Sequence, residues 1–158
     1  MHPNFLSTNS VKKLLIILLT TLTIVSCGSQ QPTTRTITGS PMPAKGQIWQ
    51  LTVINNRDIA TEAKTTTLTF NPEAGSFRGQ TACNSYAGAG IIGEAAADGR
   101  RPFIIKLLTP GSVRCPEADM NAEERFLSTL KKANHILINE HSLTLYHDNK
   151  EILHFELQ

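Results

Sequence analysis

The sequence predicts an α+β domain: a strongly curled, mainly antiparallel β-sheet of about seven strands, with one α-helix packed near a carboxyl-terminal hairpin. Three observations carry this. Short β-branched and aromatic runs recur with turn residues between them. One segment late in the chain switches to helical period. Strands then resume to the end, an order that fits a sheet with one inserted helix. So many strands in a small domain must curl to hide their edges.

The elements follow in chain order. Ile48–Ile54, "IWQLTVI", alternates around Trp49, Leu51 and Val53, the pattern of a half-buried strand. "TTTLTF" ends in Phe70, and "NPEAG" supplies turn chemistry through Pro72 and Gly75. "SFRGQ" (Ser76–Gln80) returns as the hairpin partner. Tyr86–Ile92 is a strand interrupted by Gly88 and Gly90, which mark a bulge or a close packing contact. Asp98-Gly99 is a hairpin turn signal, and "PFIIKLL" (Pro102–Leu108) is the most apolar strand. Thr109–Asp119, with two prolines and a glycine, is expected to be a loop. In "NAEERFLSTLKKA", Asn121 is placed to cap a helix with Glu124 at capping-box spacing. Phe126, Leu127 and Leu130 share its apolar face. Glu123 and Glu124 suit the helix dipole at its start, and Lys131 and Lys132 at its end. Three strands, His135–Asn139, Ser142–His147 and Glu151–Leu157, complete the domain.

Upstream of the domain the composition changes. Lys12 and Lys13 precede the 12-residue apolar run Leu14–Val25, the length of a signal-peptide core and short of the ~20 residues that span a bilayer. The run ends in "IVSCGS", which resembles a bacterial lipoprotein cleavage box, cut before a cysteine that carries diacylglycerol. The expectation is a lipoprotein signal peptide over 1–26 and a lipidated, flexible tether over 27–45 anchored through Cys27. The folded domain then occupies 46–158. Two or more acyl chains make a lasting anchor. Gly28 in place of Asp favours, by resemblance to enteric sorting rules, an outer-membrane site facing the periplasm. Lys and Arg total 15 against 13 Asp and Glu; without the leader the balance is 13 to 13, which removes any global electrostatic case for nucleic acid.

Cys83 and Cys115 remain. Cys83 has three readings: nucleophile, metal ligand or half of a crosslink. An even pair outside the cytoplasm points to a disulfide. A catalytic thiol needs a cation, histidine or helix terminus beside it, and no helix start is predicted at Cys83. Asn84 is placed to hold a tight turn through its amide, with ligand contact as the other reading. Tyr86 reads as a packed aromatic with its hydroxyl at the surface, with a catalytic acid as the other reading. His135, His141, His147 and His154 lack ligand spacing, so no metal and no cofactor is expected.

The order of residues from about 46 to 156 resembles the META-domain (HslJ-like) family. The matching segments are "GQIWQL", "LTF", "FRGQTACNSYAG", Thr109 followed by Cys115, the Glu-x-x-Phe-Leu-x-x-Leu helix and the closing "LTLYHDNKEILHF". Ala82 replaces the family's glycine before Cys-Asn, and "TPGSVRC" is longer than the family's stretch there. The resemblance implies a cell-envelope setting linked to stress tolerance and no established catalytic activity. The expected function is a membrane-anchored, non-catalytic domain that binds another envelope component. The alternatives are a chaperone- or pilotin-like escort of an outer-membrane partner, and a Cys83-dependent envelope enzyme.

Overall fold

The computed structural model describes residues 40–59 and 66–158. Cys27 and the expected signal peptide and most of the tether lie outside the described residues. Nine strands run β1 (Trp49–Ile54), β2 (Arg57–Asp58), β3 (Thr67–Asn71), β4 (Ser76–Gln80), β5 (Ser85–Ile92), β6 (Arg101–Pro110), β7 (His135–Ile138), β8 (Ser142–His147) and β9 (Lys150–Leu157). Among the described residues one α-helix, α1 (Glu117–Leu130), joins β6 to β7. Every described pairing is antiparallel.

The sheet closes, which corrects the expected open, curled sheet. β9 bonds back to β1, from Trp49 opposite Leu157 to Ile54 opposite Leu153, so β1 and β3–β9 form an eight-stranded barrel. One flank of β1 is taken wholly by β9. The other is shared: Trp49 and Gln50 pair with β3, while Val53 and Ile54 pair with β2. β2 is the extra strand that local pattern did not mark. Asn55 and Asn56 turn the chain into it with φ of 50° and 64°, the left-handed pair that tight hairpins use. Register shifts on β1, between β5 and β6, and between β8 and β9 bend the wall.

The helix also starts earlier than expected. It begins at Glu117 after Pro116, and Asn121 falls inside it, so the Asn121–Glu124 capping box does not form. Pro116 is the N-cap, its ψ of 147° still outside the helix, and its carbonyl accepts the amides of Asp119 and Met120. Glu117 and Asp119 in the first turn complement the dipole. As expected, the helix meets the carboxyl-terminal hairpin: the Phe126 ring lies 6.4 Å from Phe155 of β9.

Side chains fill the barrel. Trp49, Phe103, Phe155, Leu51, Leu68, Leu143, Leu145 and Leu153 are fully buried. Phe70, Phe77 and Phe103 form a cluster with ring centroids 5.7–6.1 Å apart, edge-on or tilted, the geometry aromatic quadrupoles favour. Ser40 and Pro43 are buried as well, so packed chain extends upstream of Gly46. Ser40 behaves as an added partner of β7: its hydroxyl donates to Ile138 O (2.8 Å) and accepts Ile138 N–H (2.6 Å).

The aromatic cluster requires Gly88. It pairs directly with Phe77, and a Cβ there would lie 2.1 Å from Phe77 Cζ and 2.7 Å from the Leu107 carbonyl oxygen. Gly88→Ala is therefore expected to displace the Phe77 ring and destabilise the domain by about 1–3 kcal/mol. A lowered denaturant midpoint at unchanged slope checks this.

Candidate functional site

β4 and β5 are joined by Thr81–Asn84, and this short connection gathers the residues that the sequence singles out. The turn closes on itself: Thr81 N–H donates to Asn84 O (2.8 Å), and the Thr81 hydroxyl accepts the amides of Asn84 (2.9 Å) and Cys83 (3.2 Å). Ala82 is not among the residues with positive φ, so the turn does not require the glycine found in the family's pattern.

Cys83 is bonded to Cys115, with Cα atoms 5.7 Å apart. The crosslink ties the β4–β5 turn to the residue before Pro116, hence to the start of α1. Asn84 makes a second tie between the same segments. Its amide oxygen accepts Val113 N–H (2.9 Å), and its amide nitrogen donates to Val113 O (3.2 Å) and Glu123 Oε1 (3.0 Å). Asn84 is buried, so an unmet amide there would be costly.

Glu123 is the residue whose part the sequence reading missed. Rather than acting only as a dipole partner, its carboxylate reaches back from α1 to the turn. Oε2 accepts Asn84 N–H (2.8 Å) and the Thr81 hydroxyl. A signal was present: Glu123 is three residues before buried Phe126, so both face the same side of the helix. Glu124 is exposed.

Tyr86 corrects a second expectation. Its hydroxyl is not at the surface: the residue is 3% exposed, and the hydroxyl donates to Thr67 O at 2.7 Å across the barrel wall. Its ring packs on Phe126 at 5.4 Å. Burial pushes the phenol well above the ordinary tyrosine range. The four late histidines do not converge. His135 Nδ1 bonds Asn134 Oδ1, His147 Nδ1 bonds Lys132 O, and His154 Nδ1 bonds Thr144 Oγ1, each at 2.8–2.9 Å, while His141 is exposed. Among the described residues no three His, Cys, Asp or Glu side chains gather as a metal-binding group. Beside the clamp, a groove of about 560 Å³ runs between β6 and α1, lined by Leu107, Leu108, Met120, Leu127 and Lys131.

The family model of the META domain matches residues 43–158. The chain belongs to the META domain family. A solved structure shares the fold of this META domain. An NMR structure of a protein from Burkholderia xenovorans has 19% identity and a TM-score of 0.51, covering 75% of this chain and 92% of that one. A second NMR structure has 19% identity and a TM-score of 0.47, over 70% of this chain and 88% of the other. A comparison with curated proteins finds no match.

The META domain's clamp makes two separable predictions. Reducing the disulfide, or replacing Cys83 and Cys115 with serine, should lower stability by about 3–4 kcal/mol, because it frees a 32-residue separation in the unfolded chain. Asn84→Ala should cost about 2–3 kcal/mol by stranding the polar groups of Val113 and Glu123. Denaturant unfolding of each variant reads both. The buried phenol gives a pH signature. Its folded pKa lies above the unfolded value of about 10, so its contribution is intact below about pH 10. Above that, stability should fall by about 1.4 kcal/mol per pH unit. Tyr86→Phe should flatten this alkaline slope while losing the bond to Thr67, as unfolding midpoints measured across pH would record.

Proposed function

We propose that the chain is a bacterial envelope lipoprotein, anchored through acylated Cys27 to the outer membrane and facing the periplasm. Its META domain serves as a disulfide-braced, non-catalytic module for binding another envelope component, in support of envelope stress tolerance. One observation carries the non-catalytic reading. The polar and nucleophilic residues around the turn, Cys83, Asn84, Glu123 and Tyr86, are all engaged in holding the wall and α1 together. A Cys83-dependent enzyme needs a thiolate, and that sulfur is in a bond with Cys115. The leader pattern and "IVSCGS" support the anchor.

The groove between β6 and α1 favours escort of an outer-membrane partner as the second reading, since concave, largely apolar clefts are where partners and ligands settle. Metabolic labelling with an acyl-chain analogue tests the anchor. The wild-type chain should take up label and Cys27→Ser should not; an unlabelled wild type would refute it. Co-purification from membranes in mild detergent should recover a stoichiometric envelope protein. Alkylation of Cys83 in unreduced protein, together with an activity lost in Cys83→Ser, would instead establish the enzyme.

A further inference from the structure

The outer face of β5 and β6 is unusually apolar for a free barrel wall. Ile91 is directly opposite Ile104, and Ala89 is opposite Leu107. Ile91, Ile104 and Leu107 are 48%, 56% and 59% exposed. These pairs share one face only because of a bulge. On β5, Ala89 and Ile91 are two residues apart; on β6, Leu107 and Ile104 are three apart, with Lys106 as the extra residue. Without it, one of the two β6 side chains would turn inward. Met42, also exposed, lines a cavity together with Ile91.

The route of the chain into the domain indicates what covers this stripe. Ser40 is fixed at its end: Arg101 Nε, at the start of β6, donates to Ser40 O (2.7 Å), and the same guanidinium donates to Gly93 O (3.0 Å), just past β5. Only 12 residues, 28–39, separate Ser40 from Cys27. Fully extended they reach about 40 Å. A lipid on Cys27 would therefore enter the bilayer within reach of the stripe, and tethering raises the effective concentration of membrane at this face, so modest apolar contact suffices.

We propose that the Ile91–Ile104–Leu107 stripe rests on the phospholipid surface that holds the anchor, fixing which face of the META domain turns to the membrane. This rests on the lipid-anchor reading above. The closed barrel provides a control position: β9 is four strands from β5 around a ring of eight, and Glu156 on it is exposed. The test uses full-length lipidated protein in phosphatidylcholine vesicles with brominated acyl chains, against vesicles without bromine. Trp49, 1% exposed inside the barrel, is a common background. In Leu107→Trp most of the added tryptophan emission should be quenched; in Glu156→Trp it should not. Should Leu107→Trp fail to fold, Ile104→Trp reports on the same stripe. Protein that floats with the vesicles but shows equal quenching, or none, at the two positions overturns the stripe and leaves the anchor standing; a stripe covered by a second copy or a protein partner gives this result. Protein that does not float overturns both.

Discussion

The pairing of the first strand with the last is the constraint from which the rest of this fold follows. Once β9 lies along β1, the intervening strands have one consistent arrangement, each beside its neighbour in the chain. Closure removes the long free edges that an open sheet of this length would expose to other chains. It also sets the interior volume. Eight strands leave room that side chains alone can fill, and the Phe70–Phe77–Phe103 cluster with Trp49 and Phe155 fills it. The last residue is held by the same seam, where Gln158 N–H donates to Ile48 O at 3.0 Å.

Closure does not position the helix, because α1 interrupts the ring between β6 and β7, where only Arg101 and Pro102 pair with Ile136 and His135. The clamp does that work. The disulfide and the Asn84–Glu123 bonds act on different states. The crosslink restricts the unfolded chain, whereas the buried amide stabilises only the folded one. Both converge on the first half of α1, while Phe126 and Leu130 hold it to the core. A helix fixed at one end by covalent and polar ties and along its length by apolar burial has little freedom to slide. The groove beside it is therefore largely preformed.

Much of this was legible in the sequence, and what was not has physical reasons. Strand identity is a local property, so alternation marked β1, β-branched and aromatic composition marked β3, the Pro72–Gly75 turn marked the return into β4, and the Asp98-Gly99 turn marked the β5–β6 hairpin. Gly88 and Gly90 were read as a bulge or a close contact, and both occur: the register shifts between Ala89 and Gly90, and Phe77 lies over Gly88. The disulfide was legible because reading Cys27 as the lipid site leaves an even pair, Cys83 and Cys115. Barrel closure was not, since it depends on strands about 100 residues apart and leaves no local mark. β2 is too short to show a period. The helix start was misplaced because Asn121–Glu124 satisfies the capping pattern, but Pro116 and two first-turn acids favour initiation one turn earlier. Tyr86 was placed at the surface because sequence cannot show that Thr67 O would meet its hydroxyl inside the wall.

A filled barrel also directs where recognition can take place. Wider barrels admit a ligand to the lumen; here the lumen is packed with aromatic and aliphatic side chains. Selectivity must then come from outer faces and loops, where residues can change without disturbing the core. Two outer features depart from an ordinary solvated wall: the groove along α1 and the apolar β5–β6 face. Both border β6, and Leu107 belongs to the apolar face while also lining the groove. The bulge holds Ile104 and Leu107 outward together. Beyond Pro102, β6 has parted from β7, which opens the space that α1 borders. One strand therefore shapes both surfaces. A contact on the apolar face would bear directly on the backbone that forms the wall of the groove.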